Sequence, residues 1–242
     1  MSAGHVAPDF RKDSDMNATY SCLRIGGRLA ALAIFATTLA ACSLPIKPQH
    51  AQDTYRINPP AALSTPAIVS AQGKARAFLV RFGSIEADSG FESAAMMYSP
   101  EAQQLRPYRD NRWLAPPAEM LTDAVTQTLI RQPWILGVVP NSAGAPVALN
   151  LRCHLNRLEH DVSGDSGRVR LALDCLWLDP KTRSVRAHWY FDESQAVPHN
   201  DATQFAQASQ SLVDKAIGAI VRQTRNLLAT PEAPVEKDAD DS

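Results

Sequence analysis

The sequence predicts an α+β domain: an antiparallel sheet with two amphipathic helices packed on one face. Three observations carry this prediction. Two runs of alternating apolar residues, Val147 to Leu155 and Val169 to Trp177, flank a Ser-Gly-Asp-Ser-Gly turn, the period-two pattern of a hairpin with one buried face. Two longer runs, opened by Pro116-Pro117 and by Asp201, repeat apolar residues at helical spacing. Short apolar runs of strand length precede and separate them.

The elements follow in order. Ala77 to Ile85 (AFLVRFGSI) is strand-like, and Ala95 to Tyr98 and Leu105 to Tyr108 are short strand candidates. Pro116-Pro117 then leads into AEMLTDAVTQTLIRQ. Proline suits a first helical turn, and Met120, Leu121, Ala124, Val125, Thr128 and Leu129 form the stripe. Pro133 ends that helix, and Trp134 to Val139 is the next strand.

In the hairpin, Val147, Leu149, Leu151, Cys153 and Leu155 alternate with Ala148, Asn150, Arg152, His154 and Asn156. Its second strand sets Val169, Leu171, Leu173, Cys175 and Trp177 against Arg170, Ala172, Asp174 and Leu176. After the Asp179-Pro180 turn, Ser184 to Phe191 is a third strand. Asp201 can cap a long helix whose stripe is Phe205, Ala208, Leu212, Val213, Ala216, Ile220, Thr224 and Leu227. A sheet with one apolar face and two striped helices bury each other as two layers.

A hairpin centred on Gly164 sets Cys153 directly opposite Cys175. Cβ atoms of such a pair lie about 4.5–5.5 Å apart, so a disulfide needs some local closing up. An exported chain meets an oxidising compartment. A Cys153–Cys175 bond and two small buried hydrophobes are the two readings.

The first segment is an address. Leu29 to Ala41 (LAALAIFATTLAA) is apolar but shorter than the ~20 residues of a transmembrane helix. Arg24 and Arg28 precede it. A basic flank, a short apolar stretch and small residues at the exit make a secretory signal. The exit, Leu39-Ala40-Ala41-Cys42, resembles a bacterial lipobox, in which the cysteine thiol takes a diacylglyceryl group and cleavage falls just before it. Leucine fills an apolar peptidase pocket, two alanines let the backbone approach, and only cysteine supplies a thiolate for alkylation. Cys42 is therefore the expected lipidation site, and N-acylation of the new terminus is expected with it. Two or three acyl chains anchor stably where one does not. Ser43, where aspartate would signal retention in the inner membrane, favours the outer membrane, periplasmic face. Met1 and Met16 both stay open as starts, since residues 1–15 are polar and add nothing to the signal.

The expected organisation is leader and signal over 1–41, a Pro/Ala-rich tether over 42–73, the domain over 74–228, and an acidic, apolar-poor tail over 229–242. Pro45, Pro48, Pro59, Pro60 and Pro66 deny the tether a continuous helix or central strand, with Tyr55-Arg56-Ile57 as a short strand candidate. The tail's composition is that of a disordered segment.

Charge excludes little but useful ground. Lys and Arg total 24 against 25 Asp and Glu, a net of -1, so electrostatics point to neither a nucleic acid nor an acidic substrate. The sequence has no GxSxG, HExxH, P-loop or glycine-rich dinucleotide fingerprint. His154 and His188 could meet on the sheet's outer face, without a carboxylate at ligand spacing, so no metal site is expected. Asp174 reads as a solvated strand residue. Arg152, Arg170 and Arg186 alternate onto the same outer face, as a solvated surface or as a candidate docking surface for a protein or lipid headgroups. Nothing in these residues points to catalysis, and no cofactor beyond the acyl chains on Cys42 is expected.

The stretch SAAMMYSPEAQQLRPYRDNRWLAPPAEMLTDAVTQTLIRQ orders two tyrosine strands, Arg112-Trp113, Pro116-Pro117 and an amphipathic helix. This string resembles the ABC-type transport auxiliary lipoproteins, the PqiC-like family. The resemblance runs from the lipobox through Tyr55-Arg56-Ile57 to the final helix, and its specific part is the order of short motifs. It implies that Tyr98, Tyr108, Trp113, Pro116 and Pro117 are framework positions and that the chain is not an enzyme. It further implies a partner, the MCE-domain protein of an ABC transporter moving lipids between inner and outer membranes, with permease and ATPase as separate chains. Some members form homo-oligomeric rings. The long polar leader and the Cys153/Cys175 pair depart from the family pattern. The alternative is a structural envelope lipoprotein binding another envelope assembly or a polysaccharide. A periplasmic hydrolase comes third.

Overall fold

The computed structural model describes residues 51–63, 77–164 and 166–230. The lipobox residues Leu39, Ala40 and Ala41, Cys42, the start codons and the acidic tail from 231 lie outside them, as do tether residues 42–50 and 64–73.

Nine strands and two helices are present among the described residues: β1 (Asp53–Tyr55), β2 (Phe78–Phe82), β3 (Glu86–Ala87), β4 (Ala95–Ser99), β5 (Arg106–Trp113), α1 (Pro117–Ile130), β6 (Ile135–Val139), β7 (Leu149–Asp161), β8 (Gly167–Leu178), β9 (Val185–Val197) and α2 (Ala202–Ala229). The class is α+β, as the patterning predicts, with one correction to the sheet: it is mixed. The β7–β8–β9 meander is antiparallel, and so is β4–β5. On the other side of β7 the short strands β2, β3 and β4 follow one another along its length, all parallel to it. They are successive pieces of one edge, joined by short loops in which the chain does not reverse. Parallel pairing also joins β2 to β6 and β5 to β1. The helical crossover α1 returns the chain to run beside β2, which a hairpin could not do.

Local chemistry sets the helix ends. Pro117 occupies the first turn of α1 after Pro116, where its missing N–H costs nothing. Asp201 caps α2: its carboxylate accepts from the Gln204 N–H at 2.8 Å. The predicted α2 stripe is the buried one, from Phe205 through Leu212, Val213, Ala216 and Ile220 to Thr224. α2 packs across β7, β8 and β9, and α1 lies beside it over β6 and β7. Trp177 Nε1 donates to Thr224 Oγ1 at 2.9 Å, so the indole keeps a hydrogen bond inside the layer.

The hairpin register contains one irregularity. Cys153 faces Cys175 and Leu155 faces Leu173, but Arg157 faces Ala172. Asn156 is the extra residue of a β-bulge, which bends a strand and turns its side chains over. Up to Leu155 the odd positions face inward; beyond it Leu158 and His160 do, and both are buried.

Residues 51–63, which patterning places in the tether, are built onto the domain. Strand β1 sits two residues before the Tyr55-Arg56-Ile57 candidate. Tyr55 Oη and Thr203 Oγ1 share a hydrogen bond of 3.1 Å. Asn58 and Gln210 exchange two, at 2.8 and 2.9 Å. Gln132 Nε2 donates to the Leu63 carbonyl at 3.2 Å. Pro59-Pro60 forbids a long strand but leaves these attachments free to form along α2 and just past the end of α1.

Candidate functional site

The tyrosine–tryptophan–proline string converges on Phe205 of α2. Trp113 meets the Phe205 ring edge-on at 5.4 Å between centroids, Tyr108 stacks on it at 6.3 Å, and Tyr98 tilts against Tyr108 at 5.1 Å. Trp113 and Phe205 are fully buried. The two tyrosine strands and the tryptophan thus build one aromatic wall between β4, β5 and α2; Pro116 and Pro117 instead open α1.

Sequence reasoning missed the polar centre of that wall. His160 is fully buried, stacks on Phe205 at 5.5 Å, and its Nδ1 bonds the Tyr108 hydroxyl at 2.8 Å. Its Nε2 is enclosed without a protein partner, close to Gly167 and Asn200. Burial lowers the His160 pKa from its ordinary 6.5, with Asp201 and Asp161 pulling the other way. Burial, with help from Asp201, pushes Tyr108 up to about 12. The bond therefore joins two neutral groups. The signal in the sequence was the Leu155-to-Leu158 spacing, which breaks the period of two and turns His160 inward.

The outer face is polar. On the inward side of the same strands the Sγ atoms of Cys153 and Cys175, both buried in the core, are bonded at 2.01 Å across Cα atoms 4.1 Å apart. Beside them lies a cavity of about 500 Å³ lined by Glu86, Arg152, His154, Asp174 and Leu176. Each histidine here has a carboxylate partner: His154 pairs with Asp88 at 2.7 Å and His188 with Asp174 at 2.8 Å. Among the described residues no three His, Cys, Asp or Glu side chains are arranged to hold a metal ion.

The three outer-face arginines are not brought together. Arg152 is opposite Leu176, and Arg170 is opposite Glu159, six ladder positions along β8, roughly 20 Å at strand rise. Arg170 is paired with Asp161. Burial acts against the charge of Asp161, but hydrogen bonds from Ser163 and the nearby Arg170 hold its carboxyl below the usual range. Arg186 donates to the carbonyls of Leu227 and Thr230 at 3.1 and 3.3 Å, closing the C-terminal end of α2. Two of the three are thus occupied within the domain.

The described residues thus form a mixed-sheet α+β domain with an aromatic core and a polar cleft on its outer face. The chain belongs to the ABC-type transport auxiliary lipoprotein component family, whose model matches residues 55–221. That span holds Tyr55, Tyr98, Tyr108, Trp113, Pro116 and Pro117. The family is one of envelope-associated lipoproteins and auxiliary transport components. Among solved structures, the chain is similar to protein XCC0632 from Xanthomonas campestris, of family DUF330, at 17% identity and a TM-score of 0.59, covering 72% of this chain and 95% of that one. A second similar structure, an uncharacterized protein, shares 11% identity at a TM-score of 0.55, covering 72% and 99%. At these identities the likeness is one of fold. Comparison with curated proteins finds no match.

Proposed function

We propose that this chain is a non-enzymatic, lipid-anchored periplasmic subunit of an MCE-type ABC transporter that moves lipids between inner and outer membranes. The observation that carries the proposal is the family match over 55–221, directly downstream of the Leu39-Ala40-Ala41-Cys42 lipobox. Cys42 takes the diacylglyceryl group and its freed amine an acyl chain, and Ser43 directs the product to the periplasmic face of the outer membrane. The domain then receives or braces the periplasmic MCE-domain protein, as a homo-oligomeric ring. The permease and ATPase act at a distance through that protein. The aromatic wall, whose polar pair joins buried His160 to half-buried Tyr108, is suited to holding a shape.

Extraction in mild detergent followed by affinity capture of the chain tests this. Co-purification of an MCE-domain protein is the expected result, lost when Cys42→Ser prevents anchoring. Recovery of the lipoprotein alone, under conditions that keep the transporter intact, contradicts it.

A further inference from the structure

The described chain enters the domain at one edge of the sheet. Gln52 Nε2 donates to the Arg109 carbonyl at 2.9 Å, Asp53 lies opposite Asn111, and Thr54 lies opposite Arg112. Cys42 precedes Gln52 by ten residues. Fully extended residues span at most about 3.6 Å each, so Gln52 lies at most about 36 Å along the chain from Cys42.

That edge is the basic one. Arg106, Arg109 and Arg112 recur every third residue along β5 and all are exposed, as is Arg56 after β1; the Arg109 side chain is 87% exposed. Asp53, Asp110 and Glu101 are the nearby carboxylates: Asp110 pairs with Arg109 at 3.1 Å, and Gln104 bridges Glu101 to Arg106 at 2.8 and 2.9 Å, while Arg112 Nε donates to the Trp113 carbonyl at 3.4 Å, so each guanidinium keeps further N–H groups for a ligand. The β4–β5 register slips between Ala95 and Met97, leaving unmatched residues on β5. The irregularity lets Tyr108 and Trp113, five residues apart, both turn toward the core; the arginines are exposed along the edge, with Arg106 opposite Tyr98 and Arg112 opposite Ala95. Exposed Leu105 and Leu114 flank the two ends of the strand.

We propose that the β1–β5 edge rests on the anionic headgroups of the bilayer that holds the Cys42 acyl chains. The assignment rests on the anchoring reading above. The arginine forks bind phosphate oxygens, and Leu105 and Leu114 reach the acyl boundary. Because β9 is at the opposite end of the sheet, this orientation turns the β9 edge away from the membrane.

The test uses the mature chain carrying Cys42→Ser, produced without residues 1–41 and hence without acyl chains. It is sedimented with phosphatidylcholine vesicles with and without phosphatidylglycerol. Binding is expected only with phosphatidylglycerol and falls with added salt. Each arginine near an anionic surface contributes about fivefold, so Arg106→Gln, Arg109→Gln and Arg112→Gln together lower partitioning by about a hundredfold. The matched variant Lys215→Gln, Arg222→Gln, Arg225→Gln, on the exposed face of α2, leaves it unchanged. No phosphatidylglycerol-dependent binding, or equal losses in the two triple variants, overturns the proposal. The intact mass of the wild-type mature chain reports the anchor separately: a chain without acyl mass refutes the anchoring while the vesicle result still reads the β1–β5 edge.

Discussion

Acidification below neutral pH is expected to weaken this domain through His160. The side chain is fully buried, and burial holds its pKa below the 6.5 of a free histidine. Below pH 6.5 the unfolded chain therefore binds a proton that the folded domain refuses. Stability is complete above that pH and falls as pH drops toward the folded value. Full exclusion of the proton costs about 1.4 kcal/mol per pH unit. From pH 7 to 5.5 the loss is thus at most about 1.4 kcal/mol. Asp201 and Asp161 reduce it by favouring the charged ring. Glu159 acts oppositely near its own range, because burial raises its pKa above 4.5, so the measurement stops at pH 5.5. Asp161 and Asp179 have lowered pKa values and lose their contribution only as pH falls through the acid range below 3.8. Urea unfolding at pH 7.5, 6.5 and 5.5 gives the slope. His160→Phe keeps an aromatic ring on Phe205 but removes the titration. It starts lower by about 1–3 kcal/mol, because the Tyr108 hydroxyl loses its partner. Its stability between pH 7.5 and 5.5 should be nearly flat. An unchanged slope in that variant refutes the assignment of acid sensitivity to His160.

Three further outcomes are expected. The denatured, non-reduced protein should show no reactive thiol from Cys153 or Cys175, and two reactive thiols would exclude the bond; Cys153→Ala with Cys175→Ala should cost about 3 kcal/mol in urea unfolding, from the loop their separation of 22 closes. Gly167→Ala should destabilise by about 1–3 kcal/mol, because its Cβ would fall 1.9 Å from Asn200 Oδ1 and 2.6 Å from His160 Nε2; a neutral result would mean that the β8–β9 end yields easily. Phe205→Ala should cost about 3–5 kcal/mol through loss of the ring shared by Trp113, Tyr108 and His160, and a cost under 1 kcal/mol would contradict a central place for that ring.

Much of the fold was legible because its strongest signals are local. The β7–β8 alternation set the pairing of Cys153 with Cys175, the Asp201 cap set the start of α2, and Pro116-Pro117 set the start of α1. The parallel pairings of β2, β3 and β4 were hidden, because strands of two to five residues carry no mark of direction. The attachment of residues 51–63 was hidden by prolines, which announce a break in regular structure but not what the side chains between them reach. The aromatic string was legible as an order of residues, and its meaning as one wall around Phe205 required the bulge at Asn156 and the inward turn of His160. The outer-face arginines looked equivalent in the sequence. Asp161 and the carbonyls at the end of α2 make two of them internal partners, while the exposed arginines of β5 went unnoticed inside an irregular strand.

The native mass of the mild-detergent extract tests the central claim most directly. An assembly containing several acylated copies of this chain together with an MCE-domain protein is the predicted result. An acylated monomer alone, recovered beside an intact transporter that lacks it, would contradict the account.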